Sequence, residues 1–404
     1  MVYLIIGNGP AGISAIESIR QLDDQGKIIV VSKENNQPYS RIMTPEYMTG
    51  EVEEENLFFK GNDFYAHYNV ETRLGKIVKD ILPEQSMVIL NDGEKIAYDK
   101  LLIASGSRPV IPSWVNLDIK GVFTLWDKVD SERIKHHLSE VKKAVIVGGG
   151  LVGLQMARAL TAYGINVTII EKMNRLMPLQ LDETASDMVK QILVKNGIRV
   201  FLDTEVVSLE TENQEIRGVK TKETDIPADL VLFSIGVRPN LDMVHDTSLE
   251  LDRGLLVNEY QQTNLVNIYA AGDISQAFCQ ITGERSLRAL WPCAIQQGKV
   301  AGTNMAGGEE RYQGSIPMNS FQLFGLSVLS FGQIEAKDGV EERIIRYPAS
   351  GSYQKLFLKE DKLLGLIFIG DIQQAGLLFH KHGKPLQEGY IGNIPLVDVE
   401  NVYL

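Results

Sequence analysis

Cysteine is almost absent from this chain of 404 residues: Cys279 and Cys293 are the only two. So few rule out a disulfide framework or a four-cysteine metal site. Positive charge is also short, with 40 lysines and arginines against 52 aspartates and glutamates and a formal net charge of −12. That balance argues against non-specific nucleic-acid binding, which depends on basic charge to displace counterions, but leaves room for a small protein on a local basic patch. No apolar run approaches the roughly 20 residues of a membrane span. The N-terminus has no basic region, no separate apolar segment and no small-residue cleavage site, so the reading is a cytoplasmic protein without a signal peptide. What remains, 44% hydrophobic and 23% charged residues, is globular composition at a length sufficient for two or three cores.

Glycine is present where it carries information. The chain opens MVYLIIGNGPAG, placing Gly7, Gly9 and Gly12 in GxGxxG spacing, with Pro10 and Ala11 between the last two. The motif lies between a predicted strand, Tyr3–Ile6, and a helix-like run, ISAIESIRQL. In such a motif the first glycine makes a tight turn and the second admits a pyrophosphate to the backbone. The third lets helix and strand pack closely, and the helix N-terminus offers free N–H donors. A second strand follows at KIIVVSKE, and Glu34 lies 22 residues past Gly12, where an acid would accept from a ribose hydroxyl. A lone motif of this kind is as often a turn without a ligand. Here the phrase recurs complete: Gly148, Gly150 and Gly153, with Leu151 and Val152, follow the strand AVIV. A helix leads on to the strand Asn166–Ile170 and to Glu171. A carboxylate at that place accepts from the 2′-OH of NADH and repels the 2′-phosphate of NADPH, although Lys172 and Arg175 stand close enough to soften the preference.

Three further segments complete a pattern. YDKLLIASGSRP (Tyr98–Pro109) carries Ser105 and Gly106, DLVLFSIGVRPN (Asp229–Asn240) carries Gly236, and NIYAAGD ends in Gly272 and Asp273. Alone, the second is a buried strand and Asp273 a cap for the helix that follows. In this order and spacing, over nearly the whole length, the chain resembles the pyridine nucleotide-disulfide oxidoreductase superfamily of two-dinucleotide-domain flavoproteins. The resemblance implies an α/β fold with two Rossmann-like dinucleotide-binding domains and a C-terminal α+β domain. The FAD domain would span 1–111 and 241–312, with the NAD domain inserted at 112–240 and a C-terminal interface domain at 313–404. It implies FAD in the first cradle, held by Gly7, Gly9, Pro10, Ala11, Gly12, Glu34, Arg41, Ser105, Gly106, Gly272, Asp273, Trp291 and Pro292. NADH or NAD+ would occupy the second, on Gly148, Gly150, Leu151, Val152, Gly153, Glu171 and Gly236.

Disulfide reductases of this superfamily relay electrons through cysteines after the first ribose acid. The corresponding stretch here, PYSRIMTPEYMTGE, has none. A thiolate is the relay in those enzymes and no other side chain replaces it. Cys279 and Cys293 read as small apolar core residues. Segments such as PYSR, LWPCAIQQGKVAGTNMAG and GLIFIGDIQQAG resemble NADH:rubredoxin oxidoreductases, the NADH module of nitrite reductase and the flavoprotein accompanying carbon monoxide dehydrogenase. Nitrite reductase continues into cysteine-rich cluster domains. This chain ends at Leu404 without them, so a separate acceptor is expected. In oxygenase-type ferredoxin reductases a lysine near the flavin pairs with a glutamate after the second glycine motif. Here Glu46 and Gln155 stand at those positions, so both halves of the pair have changed. Thr44-Pro45-Glu46 also reads as N-cap, N1 proline and first-turn acid.

The resulting expectation is an FAD-dependent NAD(P)H:acceptor oxidoreductase, NADH being preferred. It would exchange electrons with a ferredoxin-like iron–sulfur protein or rubredoxin and would use no catalytic cysteine, nucleic acid or membrane span. Trp291 and Pro292 would shape the flavin pocket, and Arg41 would lie near the flavin. Two other readings stay open: an NADH oxidase releasing peroxide, and a redox-responsive interaction flavoprotein resembling apoptosis-inducing factor. HKHGK (His380–Lys384) lacks the carboxylates or cysteines of a metal site and reads as a last helical turn with Gly383 at C′. EVEEEN (Glu51–Asn56) reads as a solvated face.

Overall fold

A strand that is apolar on both faces is stable only inside a sheet covered on both sides, and each glycine motif follows such a strand. In the computed structural model, which describes residues 1–337, 339–347 and 351–384, β1 (Val2–Ile6) begins one residue earlier than predicted. It leads through α1 (Pro10–Leu22) to β2 (Lys27–Ser32). β3 (Lys143–Val147), α2 (Leu151–Ala162) and β4 (Asn166–Ile170) repeat the unit. Both helices start from the middle glycine of their motif, Gly9 and Gly150, each in extended backbone. Pro10 takes the first turn of α1, where its missing N–H loses no helical bond. Ile13, Ile16 and Ile19 then form the buried stripe.

The chain forms two compact units: Met1–Ile42, Glu53–Arg108 and Val237–Ser315, then Met43–Val52, Pro109–Gly236 and Ile316–Leu404. The first is built on a parallel sheet in which β1 lies between β2 and Lys100–Ile103. Val70–Leu74 lies outside β2, and Ile268–Ala270 outside Lys100–Ile103. Leu4 and Ile6 enter the core on one face, Tyr3 and Ile5 the core on the other. The second unit repeats this topology, with β3 between β4 and Leu230–Phe233, flanked by Arg199–Phe201 and Val122–Thr124.

The C-terminal segment adds an antiparallel five-stranded sheet, ordered Met318–Leu323, Leu326–Gly332, Lys362–Ile369, Ser352–Lys359, Glu341–Tyr347, and a short helix, Ala375–Phe379. This is the α/β architecture with a C-terminal α+β part that was expected. HKHGK differs from its reading: the helix ends at Phe379, and His382 bridges to Leu363 on the sheet. His382 meets the Phe331 ring edge-on, and burial lowers its pKa, so it contributes no cation to a helix terminus.

Helix Lys128–His137 opens on two neighbouring acids. The Asp127 carboxylate accepts from the Asp130 N–H at 2.9 Å, and Asp130 accepts from the Thr124 hydroxyl and the Trp126 N–H, both at 3.0 Å. Burial, then the Asp127 charge, push the Asp130 carboxyl up to about 6 from its ordinary 3.8. A raised carboxyl favours the folded state while protonated, fully below pH ~4, and the contribution is lost as pH rises through 6. Asp130→Asn should therefore match the natural protein in urea denaturation near pH 4 and exceed it by about 2 kcal/mol at pH 7.5.

Candidate functional site

Each glycine cradle is a place where backbone touches backbone. A Cβ on Gly7 would lie 2.1 Å from the Ala104 carbonyl oxygen, and one on Gly12 would lie 2.1 Å from the carbonyl oxygen of Gly7. In the second cradle the counterparts are Gly148 against the Ser234 oxygen at 2.4 Å and Gly153 against the Gly148 oxygen at 2.2 Å. Gly7 and Gly148 also have φ of +118° and +114°, which side-chain-bearing residues rarely adopt. The middle glycines behave oppositely: nothing lies within 4 Å of a Cβ on Gly9 or Gly150. Both cradles thus leave open space in front of the N-terminal N–H groups of a helix, the geometry that accepts a phosphate.

An acid stands beside each cradle. Glu171 accepts from the Gly149 N–H at 2.6 Å and the Met173 N–H at 2.8 Å, so its carboxylate lies over the glycine loop itself. Glu34 accepts from the Tyr39 hydroxyl at 2.5 Å and pairs with Arg41. Burial raises the Asp273 carboxyl above its ordinary range, opposed by the Ser107 hydroxyl, which donates to it at 2.6 Å, and by the Arg41 charge. Glu34, Arg41 and Asp273 are therefore gathered at one site. Asp273 lies in a short 3-10 turn and does not cap the helix Trp291–Met305, whose N-cap is Leu290.

Each of the remaining expected residues has a definite place within its own unit. The Asn240 side chain donates to the Ser105 carbonyl at 2.8 Å and its N–H to Gly106 at 3.0 Å, fixing the loop after Lys100–Ile103. Gly236 takes φ +114° and accepts from the Val110 N–H. Gly272, at φ +80°, packs toward Ala11 and donates its N–H to Gln297 at 2.7 Å. Leu151 is half-buried and Val152 exposed on the first turn of α2. Trp291 meets the Phe59 ring edge-on, whereas Pro292 is exposed and so is no core residue.

Several contributors were missed by motif reading. Gln297 holds both Gly272 and the Ser275 hydroxyl. The Asn8 side chain is held by the Tyr65 hydroxyl and donates to the Asn36 carbonyl at 2.9 Å. Gly298 and Gly302 let helix Trp291–Met305 press onto the α1 backbone at Ala11 and Ala15. The small-xxx-small spacing of those two glycines was the available signal.

Glu46 and Gln155 meet around a third side chain. Arg158 donates to Glu46 at 2.9 Å and to Gln155 at 3.4 Å, and pairs with Glu51 at 3.1 Å. The helix here is Thr44–Thr49 with Met43 as N-cap, one residue earlier than the reading that made Thr44 the cap. Glu51, read as part of a solvated run, is an ion-pair partner. The cysteines also divide. Burial raises the Cys293 thiol, as an apolar core residue requires. Cys279 is equally buried, but the Thr282 N–H, the Arg288 guanidinium at 3.5 Å and the Ile281 N–H outweigh burial and bring its thiol down to about 7. Both side chains are packed in the interior, as expected, and differ in the polar groups around the sulfur.

Residues 1–298 match the pyridine nucleotide-disulphide oxidoreductase family, and residues 317–379 match the rubredoxin NAD+ reductase C-terminal domain. The chain is 32% identical over 379 residues to the NADH-dependent phenylglyoxylate dehydrogenase subunit epsilon of Aromatoleum evansii, covering 93% of this chain and 90% of that one. It is 30% identical over 370 residues to the NADH-rubredoxin oxidoreductase of Clostridium acetobutylicum, covering 91% of each. The crystal structure of NADH:rubredoxin oxidoreductase from Clostridium acetobutylicum aligns with a TM-score of 0.77 at 28% identity, over 94% of this chain and 95% of that one. Fold and paired cradles define an oxidoreductase that uses FAD and a pyridine nucleotide. The chain belongs to the pyridine nucleotide-disulphide oxidoreductase family. Among the described residues, no helix is long and apolar enough to cross a membrane.

The two kinds of glycine should separate in the laboratory. Gly150→Ala should fold within about 1 kcal/mol of the natural protein yet lose nucleotide affinity by about tenfold or more, because its methyl enters the open space. Gly153→Ala should cost about 2–3 kcal/mol in stability, because its methyl meets a carbonyl that cannot retreat. Thermal denaturation and nucleotide titration of both variants check this.

Proposed function

We propose that the first cradle holds FAD, the second holds NADH, and the reduced flavin passes electrons to a small iron–sulfur or rubredoxin-type protein outside the chain. The observation that carries this reading is the pair of equivalent cradles, each with an open middle glycine and an acid at the end of the next strand. Gly7, Gly9, Gly12, Glu34 and Asp273 would hold FAD; Gly148, Gly150, Gly153 and Glu171 would hold NADH. When bound, the flavin supplies the essential chemistry, accepting two electrons with a hydride and releasing them singly. The protein's own part is to bind, orient and exclude water, and proximity provides much of the acceleration.

Cysteine is absent before residue 279, which supports an acceptor other than a disulfide carried on the chain. The names of two relatives, an NADH-rubredoxin oxidoreductase and a subunit of an NADH-dependent dehydrogenase, agree with electron exchange between NADH and a partner protein.

The preference for NADH has local support. Lys172, the first cation after Glu171, pairs with Glu205 at 2.6 Å, and Arg175 donates to the carbonyls of Pro178 and Leu181. A 2′-phosphate would meet the Glu171 carboxylate with both neighbouring cations turned to other partners.

Anaerobic mixing with NADH should bleach the flavin, and adding oxidised rubredoxin or ferredoxin should restore its colour. A flavin that stays oxidised under NADH ends this reading. In steady-state assays NADH should exceed NADPH in kcat/KM by about a hundredfold, and Glu171→Ala should shrink that ratio to about tenfold or less.

A further inference from the structure

Gln297 stands on the helix Trp291–Met305, and backbone contact fixes that helix against the first cradle. A Cβ on the next residue, Gly298, would lie 2.1 Å from the carbonyl oxygen of Ala11, inside the first glycine motif. One on Gly302 would lie 2.5 Å from that of Ala15. Gln297 is 2% exposed, and its Oε1 accepts from the Gly272 N–H at 2.7 Å and from the Ser275 hydroxyl at 2.9 Å. A backbone N–H needs the oxygen of the amide, so the orientation of this side chain is settled. The two residues it grips flank Asp273. Gly272 has φ +80°, and the Ser275 hydroxyl is also 3.0 Å from the Gly272 carbonyl, which keeps the turn closed. Just upstream, the Ala271 N–H donates to the Ile103 carbonyl at 3.1 Å. Asp273 is therefore carried on a turn tied at three points: to the parallel sheet at Ala271, to the helix against the cradle by Gln297, and to Ser107 by its own carboxylate. All of these residues belong to the first compact unit.

We propose that Gln297 is a positioning residue for FAD binding: by holding the turn Gly272–Ser275 it sets the place of the Asp273 carboxylate, and it acts on the flavin nucleotide through that carboxylate. The proposal rests on the reading that the first cradle holds FAD. The requirement is geometric. A carboxylate accepts from a hydroxyl over a window of about 2.5–3.0 Å, and the bond weakens steeply with misalignment. Gly272 has no side chain to narrow its backbone conformation, so the turn depends on the partners of its peptide groups. Without the Gln297 oxygen a buried N–H is left unpaired. The peptide that bears it then turns toward another acceptor and displaces the residue that follows, Asp273.

The test is titration of FAD into the full-length protein freed of flavin, read by quenching of flavin fluorescence, with NAD+ titrated into the same samples. Gln297→Met keeps the length of the side chain and removes the acceptor. It should raise the FAD dissociation constant by about tenfold or more and leave that of NAD+ within about twofold. Gln297→Glu, which keeps oxygens for both donors, should recover most of the affinity. In an Asp273→Ala background Gln297→Met should weaken FAD by no more than about twofold further, because the group it acts through is gone. The proposal is overturned if Gln297→Met binds FAD within about twofold of the natural protein, if Gln297→Glu binds no better than Gln297→Met, or if the loss is the same with and without Asp273. An equal loss of NAD+ affinity also overturns it, because that marks a general loss of structure. If Gln297→Met does not fold, Gln297→Ala, whose cavity admits a water to the Gly272 N–H, is the deciding variant under the same limits. Failure of the natural protein itself to bind FAD would instead overturn the cradle assignment.

Discussion

Everything at the two cradles depends on carbonyl oxygens that sit where a side chain would have to be. The register of the neighbouring strand puts them there. Ile6 pairs with Ile103 and Val147 with Phe233, so the next residues, Ala104 and Ser234, turn their carbonyls toward Gly7 and Gly148. A cradle is thus the product of three segments: the strand before the motif, the helix after it, and a strand far along the chain whose end closes it from the side. Helix N–H donors count for little unless a ligand can reach them, and the close packing of first and third glycine holds the middle one at the open edge.

Local chemistry was legible from residue order; long-range chemistry was not. The strands, the glycine turns, the presence of a helix after each motif and the acids after β2 and β4 follow from patterns spanning a few residues. The contributors that escaped are contacts between distant segments. Gln297 serves Gly272, Tyr65 serves Asn8, and Arg158 reaches back more than a hundred positions to Glu46. Nothing in the neighbourhood of these residues distinguishes them from ordinary helix or loop residues. Cys279 shows the same limit from the other direction. A cysteine in an apolar context reads as packing, and Cys279 is packed, but the turn that follows it and Arg288 lower its thiol against that burial, which no local pattern announces. HKHGK misled because a cationic run near a glycine imitates a helix end, whereas His382 bridges to Leu363 near the start of the central strand Lys362–Ile369.

The acids beside the cradles differ in how they are held. Glu171 rests on main-chain donors of its own loop, which cannot leave. Glu34 rests on Tyr39 and Arg41, side chains able to swing aside.

The borrowed decapeptide around Met48, which is buried in one core with Leu154 and Ala157 of α2, bears on how such a protein can be re-engineered. Neither compact unit is a contiguous stretch of sequence, and the boundary at 42/43 and 52/53 lies inside what a linear parse assigns to a single domain. A chimera made by exchanging residues 109–236 alone would carry the receiving surface without its plug. Grafts between family members would then fail by an unfilled hole and an orphaned arginine, however well the sheets agree. A workable crossover must move the plug together with its socket.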